Sequence, residues 1–374
     1  MALERIIISC GGTGGHFYPG LSAAREFQAQ GGSVLLLLSG VNSVRQAEIA
    51  EEFGIEAVVL PNMPHPLLRP FSFLKGFAGG FFKSLKVMKT FAPQALLGMG
   101  SFAMLPILIA AIWRKVTFRG MPLILHDGNA RIGKANRWFS LFADFMGTAF
   151  PAVNADKCRC RCECTGMPVR PELAKFAGMD KKEAVEALNK RFNLNFDAAK
   201  PVVLIVGGSQ GAEIFNLTIP EALIKNPGAF QVLHLAGKGK AESAKGAYRD
   251  AEIPLLLLES DEHMEYFYGA ADFVFCRSGG STVAELALFG KAAVLTPYPF
   301  AAEKHQDDNA RYLADAGAGV MISNSEFSAE LVGKILSEFL EKPEKWLESG
   351  KKAATLAYPD ASQRLLKQIS GLCH

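Results

Sequence analysis

The feature that most constrains this chain is a plan that it states twice. Near the start, the apolar run Ile6-Ile7-Ile8 leads into the turn "CGGTGG", a helical pattern, "GLSAAREFQAQ", and a second strand, "SVLLLLS". At Pro201 the plan restarts: "PVVLIVGGSQGAEIFNLTIPEAL" again reads as strand, Gly-rich turn and helix, with "FQVLHLAG" as the next strand. "PLLLLE", "DFVFCRS" and "AAVLTPYP" continue the series, with helical patterns between them. Near-continuous apolar strands separated by helices indicate parallel sheets covered on both faces, so the expected fold class is α/β with two doubly wound, Rossmann-like domains. Such folds hold ligands beyond the strand C-termini, here expected to face an interdomain cleft. At 374 residues the chain is long enough for two such cores. The expected boundaries are 1–166 for the first domain, 167–345 for the second, and 346–374 for closing helices that pack back on the first.

Composition excludes several classes. Hydrophobic residues at 49% and charged residues at 21% rule out a disordered or fibrous chain, and a net charge of +3 gives no ground for a nucleic-acid partner. "MALERIIISC" carries Glu4 and Arg5 and lacks the apolar core of a secretory signal, while seven cysteines in a chain this large suit a reducing compartment, so a cytoplasmic location is expected. Residues 95–113, "ALLGMGSFAMLPILIAAIW", have Ser101 as their one polar member and approach the length of a membrane span. Gly98, Gly100, Ser101 and Pro106 divide them more naturally into a strand and a buried helix.

The first Gly-rich turn is not a dinucleotide fingerprint. Counting from Gly12, the third glycine of G-x-G-x-x-G would fall at Phe17, and no acid follows the second strand until Glu48. What remains is a loop of backbone amides, Thr13, Gly14 and Gly15, at a helix N-terminus, suited to a diphosphate, with His16 beside it. A tight turn with a capping histidine is the plainer alternative. "CRCRCEC", residues 158–164, places four thiols at period two, which in an extended strand puts them on one face and Arg159, Arg161 and Glu163 on the other. That spacing fits a half-buried strand better than zinc, whose ligand pairs usually follow C-x₂₋₄-C.

Seven motifs occur in order: "GGTGGHFYPG", "GMGSFAMLP", "HDGNARIGKANRW", "TGMPVRPEL", "GGSQGAEIFN", "CRSGGSTVAELALFGKAAVLTPYP" and "HQDDNARYLADAGAG". Together they resemble the MurG family, bacterial enzymes that transfer N-acetylglucosamine from UDP-N-acetylglucosamine to lipid I and so make lipid II for peptidoglycan. The resemblance implies a GT-B architecture and an inverting transfer without metal or other cofactor. It also implies that the first domain takes the lipid acceptor and the second the nucleotide sugar, at the cytoplasmic face of the cell membrane. Glu285 is then expected to hold the ribose hydroxyls, with Gly280, Ser281 and Thr282 near the diphosphate. Ser209 and Arg170 become further diphosphate or sugar contacts, Gln306 and Asn309 contacts to the sugar hydroxyls, and Asn129 a contact to the sugar region from the other domain. The chain departs from the family pattern at His126-Asp127-Gly128-Asn129, where His-Glu-Gln-Asn is common, and at Asp261 and Glu262, where an apolar residue near the uracil is usual.

Departure of a diphosphate needs no metal when helix-terminal amides offset its charge, and no Asp-x-Asp pair occurs in the sequence. Either His16 or Asp127 suits the base that takes the acceptor proton. A GT-B transferase with another acceptor, a UDP-N-acetylglucosamine 2-epimerase, or a non-catalytic nucleotide-binding scaffold would share the architecture. Residues 57–126 contain no Asp or Glu but carry Arg69, Lys75, Lys83, Lys86, Lys89, Arg114, Lys115 and Arg119, interleaved with Phe71, Phe73, Phe77, Phe81 and Phe82. This pattern suits reversible attachment to an anionic membrane surface; an apolar core helix with a solvated basic face is the alternative.

Overall fold

The computed structural model describes residues 3–64, 67–118, 121–208, 211–226, 228–249 and 251–373. They form two compact units: the chain up to Arg170 together with the chain from Tyr358 onward, and Pro171–Ala357.

In the first unit, the described residues form seven strands: β1 (Arg5–Gly11), β2 (Ser33–Ser39), β3 (Glu56–Val59), β4 (Ala95–Gly98), β5 (Leu123–Asp127), β6 (Phe145–Thr148) and β7 (Arg161–Cys164). All pairings are parallel, in the order β3-β2-β1-β4-β5-β6-β7. The isoleucines of β1 are buried because both faces of the sheet are covered, alternate residues serving opposite cores. Ile6 and Ile8 meet Phe17 and Leu21 of the helix Gly14–Ala29 and Leu365, Leu366 and Ile369 of the helix Ala361–Gly371. Ile7 shares the other core with Ile107 and Leu108 of the helix Leu105–Phe118. Residues 95–113 thus become β4, a short 3₁₀ turn and the start of that helix, and among the described residues no helix is long and apolar enough to cross a membrane. Only Arg161–Cys164 of the cysteine-rich run is strand, shorter than expected, because the chain bends at Arg159 and Cys160.

The second unit contains β8 (Val202–Val206), β9 (Gln231–Leu235), β10 (Leu255–Leu258), β11 (Phe273–Cys276), β12 (Ala292–Leu295) and β13 (Gly319–Met321), parallel in the order β10-β9-β8-β11-β12-β13. In each sheet the strand order reverses once, at β1/β4 and at β8/β11, and a crevice opens beyond the strand C-termini at such a switch point. Both Gly-rich turns follow the first strand at a reversal.

Two boundaries differ from the sequence expectation. The first unit extends to Arg170 rather than residue 166, because Met167 is buried and its methyl lies against Gly128. The chain rejoins the first unit at Tyr358 rather than at 346. The helix Pro343–Ala354 stays with the second unit because Trp346, 4% exposed, packs 5.0 Å from Phe273 in that unit's core.

Candidate active site

At the β1/β4 reversal, Gly11 and Gly12 take φ of 126° and 83°, values that a side chain would strain, and the Gly12 carbonyl is held by the Asn42 amide at 3.0 Å. The turn delivers Thr13 as N-cap of the helix Gly14–Ala29, with no side-chain cap bond to its first amides. Thr13, Gly14 and Gly15 are exposed, the arrangement that attracts an anion. His16, half-buried, places Nδ1 2.9 Å from the carbonyl oxygen of Met99, just beyond β4. A carbonyl only accepts, so in the neutral ring Nδ1 carries the proton and Nε2 the lone pair.

β5 brings the next loop to the same edge. His126 is buried and donates from Nε2 to the Gly166 carbonyl at 2.9 Å; burial lowers its pKa, against the opposing pull of that bond and of Asp127. Asp127 is buried, and both of its oxygens are engaged. Oδ1 accepts from the Asn129 backbone at 3.1 Å and its side chain at 3.3 Å; Oδ2 accepts from the Gly133 backbone at 2.9 Å and Asn136 Nδ2 at 3.0 Å. Four donors make Asp127 the organiser of the 127–136 loop, whose reach to Asn136 was not legible in its spacing. Gly128 explains one departure from the family pattern: a Cβ there would meet the Met167 methyl at 2.9 Å and approach the Gly15 carbonyl at 3.8 Å, so the glycine lets the two loops come together. Arg170 stacks 5.6 Å from the Tyr18 ring, on the helix that begins at Gly14.

In the second unit, the β11 turn leads into the helix Gly280–Leu288, capped by Gly279 without a side-chain bond. The Ser281 hydroxyl is buried with no hydrogen-bond partner among the described residues, and Glu285 lies one turn on, its Oε2 accepting from the Tyr268 hydroxyl at 2.9 Å. Gln306 Oε1 accepts from the Tyr298 backbone at 2.9 Å, which directs its amide hydrogens elsewhere. Asn309 is fully buried and donates to the Ser278 carbonyl at 3.0 Å, while Ser278 Oγ donates to the Gln306 carbonyl at 2.7 Å. Asn309 therefore braces the turn that carries Ser278. Ser209 lies outside the described residues. After β8, Gly211 leaves no room for a side chain against the Ala236 carbonyl.

Sequence reasoning missed Tyr268 and Arg277. Arg277 donates to the Thr296 and Pro297 carbonyls at 3.1 and 3.0 Å and lies 4.9 Å from the Phe215 ring, clamping the segment that carries Tyr298. An arginine directly after the apolar run "FVFC" was the available signal. Asp261 accepts from Arg191 Nη1 at 2.8 Å and the His263 backbone at 2.7 Å, while Glu262 is exposed. Among the described residues, no group of three or more His, Cys, Asp or Glu side chains is arranged to hold a metal ion.

Two parallel sheets with amide-rich turns at both reversals are the two Rossmann-like halves of a GT-B fold, and the relatives give it the class of a glycosyltransferase. The family model of the glycosyltransferase family 28 N-terminal domain matches residues 6–148, and that of the C-terminal domain residues 202–365. The "UDP-N-acetylglucosamine--N-acetylmuramyl-(pentapeptide) pyrophosphoryl-undecaprenol N-acetylglucosamine transferase" of Haemophilus ducreyi is 32% identical over 98% of both chains. The crystal structure of Acinetobacter baumannii MurG aligns with a TM-score of 0.75 at 27% identity, covering 98% of this chain and 99% of that one. The chain belongs to this MurG family of N-acetylglucosaminyltransferases. Neisseria meningitidis UDP-GlcNAc 2-epimerase aligns with a TM-score of 0.69 over 97% of this chain and 98% of its own, but at 13% identity it shares the fold alone.

Proposed function

We propose that the protein transfers N-acetylglucosamine from UDP-N-acetylglucosamine to the C4 hydroxyl of the N-acetylmuramyl residue of lipid I, giving lipid II with inversion at the anomeric carbon. The observation that carries this reading is the similarity to the Haemophilus ducreyi transferase over 98% of both chains, which takes in both Gly-rich turns.

The first unit takes the acceptor. His16 Nε2 removes the hydroxyl proton, Met99 keeping the ring in the required tautomer, while the exposed amides of Thr13–Gly15 and the Arg170 guanidinium attract the acceptor's diphosphate. Asn129, held by Asp127, offers its amide to the sugar region. Asp127 has no role as base in this scheme.

The second unit takes the donor. Glu285 binds the ribose hydroxyls, with Tyr268 setting the direction of its carboxylate. The amides of Gly280, Ser281 and Thr282, with the Ser281 hydroxyl, offset charge as UDP departs, and Ser209 is a further diphosphate contact. Gln306 presents N–H groups to the sugar hydroxyls. The helix Pro70–Phe91 attaches the protein peripherally to an anionic membrane at its cytoplasmic face; Phe71 and Phe82 are 86% and 67% exposed, and Lys75, Lys86 and Lys89 are exposed beside them.

The test is incubation with labelled UDP-N-acetylglucosamine and lipid I, the product being identified by mass. Lipid II supports the reading; release of N-acetylmannosamine or no sugar transfer overturns it.

A further inference from the structure

Four thiols in seven residues have no part in the transfer chemistry. Cys158 has extended backbone (φ −78°, ψ 138°), and the bend at Arg159 and Cys160 folds the run so that the Cys158 and Cys160 sulfurs lie 3.6 Å apart. Residues two apart reach about 7 Å between Cα atoms when fully extended, beyond the usual disulfide range. The bend removes that obstacle. Cys162 also interacts with Cys158 through its side chain. Cys158, Cys160 and Cys162 are partly buried against the core that β1 lines with Ile7, on the outermost strand of the sheet and the segment entering it. Of the other three cysteines, Cys10 and Cys276 are wholly buried and Cys373 stands apart near the chain end.

We propose that Cys158 and Cys160 form a reversible dithiol–disulfide pair, oxidised by exchange with a small-molecule disulfide. The Cys158 thiolate attacks one sulfur of the disulfide, forming a mixed disulfide and expelling a thiolate. The Cys160 thiolate then attacks the Cys158 sulfur, closing the intramolecular bond and expelling the second thiolate. The two protons lost by the protein end on the two released thiols: two protein thiols are oxidised, and one small disulfide is reduced to two thiols. Lys157 and Arg159 are exposed beside the pair, with Asp156 next to Lys157 and Arg161 held by Glu163 at 2.6 Å, so the local charge is net positive and a carboxylate-bearing disulfide such as glutathione disulfide is a suitable partner. Burial chiefly raises the Cys160 thiol, to about 12, so the closing step is slow at neutral pH and speeds up about tenfold per pH unit as its thiolate fraction grows.

The full chain is incubated with glutathione disulfide at pH 7, 8 and 9, alkylated, digested without reduction and mapped by mass. The expected product is a fragment in which Cys158 and Cys160 have lost two hydrogens and carry no alkyl group, forming faster at higher pH and reversed by dithiothreitol. Cys158→Ser and Cys160→Ser, each checked for an unchanged circular dichroism spectrum, should abolish that product, Cys158→Ser by leaving Cys160 alkylated and Cys160→Ser by stopping at the glutathione adduct of Cys158. A glutathione adduct on Cys158 that persists at pH 9 in the unaltered chain, full alkylation of both residues, or a rate independent of pH overturns the proposal.

Discussion

Tyr268 donates its phenolic hydrogen to Glu285 Oε2 at 2.9 Å across two helices, Met264–Ala270 and Gly280–Leu288. The phenol is buried, so this bond aligns the carboxylate before any ligand arrives. Glu285→Ala should raise the Michaelis constant for UDP-N-acetylglucosamine by about 10- to 150-fold, the loss of hydrogen bonds to a charged acceptor worth roughly 1.5–3 kcal/mol. Tyr268→Phe keeps the charge and loosens its direction, so a rise of about fivefold is expected. Initial rates against donor concentration give both values, and an unchanged constant for Glu285→Ala would remove the ribose assignment.

His16 and Asp127 separate by what each substitution damages. His16→Ala should lower turnover by about 10²–10⁴-fold with little change in donor binding. Asp127→Asn sets an amide against donors from Gly133 and Asn136, so its first effect should be a loss of roughly 1–3 kcal/mol of stability, read by thermal melting. A folded His16→Ala enzyme with near-normal turnover would send the search for the base elsewhere.

The contrast shows what kind of information the chain states locally. Strand, Gly-rich turn and helix are written in contiguous residues, so both sheets and the positions of Thr13–Gly15 and Gly280–Thr282 at their reversals follow from the order of motifs. Partners distant in sequence are not written that way. His16 finds the Met99 carbonyl 83 residues on, and Tyr268 finds Glu285 across 17. In the sequence Asn309 is only one more polar residue of "HQDDNA"; packing buries it behind Ser278. Asp127 reads as an available carboxylate until the loop folds four donors onto it. Trp346 shows the same limit for domain boundaries, because only the aromatic cluster with Phe273 decides which unit keeps its helix.

The second unit should lose stability in acid through His234. This residue is wholly buried, its Nε2 meeting Asn216 Oδ1 at 3.0 Å and its Nδ1 the Tyr248 hydroxyl at 2.9 Å. The Asn216 amide donates to the Ala236 carbonyl at 3.0 Å, so its oxygen accepts from His234 Nε2 and Nδ1 takes the phenolic hydrogen. Burial pushes the imidazole pKa down to about 3. The unfolded chain then binds a proton, from about pH 6.5 downward, that the folded chain refuses, so the contribution is complete above that pH and is lost as pH falls toward 3. The expected slope is about 1.4 kcal/mol per pH unit below pH 6. Urea unfolding from pH 7 to 4 should show this slope, reduced in His234→Gln; equal slopes would exclude His234 as its source.

The membrane reading divides the cations of residues 57–126 by what they already hold. Lys83 Nζ donates to the Val59 carbonyl at 2.8 Å, Arg114 to the Met88 carbonyl at 3.0 Å, and Lys115 is paired with Asp144 at 2.6 Å. Lys75, Lys86 and Lys89 are exposed on the helix Pro70–Phe91, as are Phe71, Leu74 and Phe82, whereas Phe73, Phe77 and Phe81 are half-buried and stacked in a row at 6.3 and 6.4 Å. One part of the helix thus packs on its own unit, and another offers aromatic and cationic groups together. Each cation near an anionic leaflet contributes about 1 kcal/mol, so removing three should weaken binding by about 3 kcal/mol, more than a hundredfold, and reversing their sign by more. Lys75, Lys86 and Lys89→Glu together should abolish sedimentation with vesicles containing anionic lipid and slow transfer to lipid I, leaving the Michaelis constant for UDP-N-acetylglucosamine unchanged. Phe71→Ser with Phe82→Ser should weaken sedimentation even at high salt, because its loss is apolar rather than Coulombic. Vesicle binding that survives both sets of substitutions in a folded protein would move the attachment site off this helix.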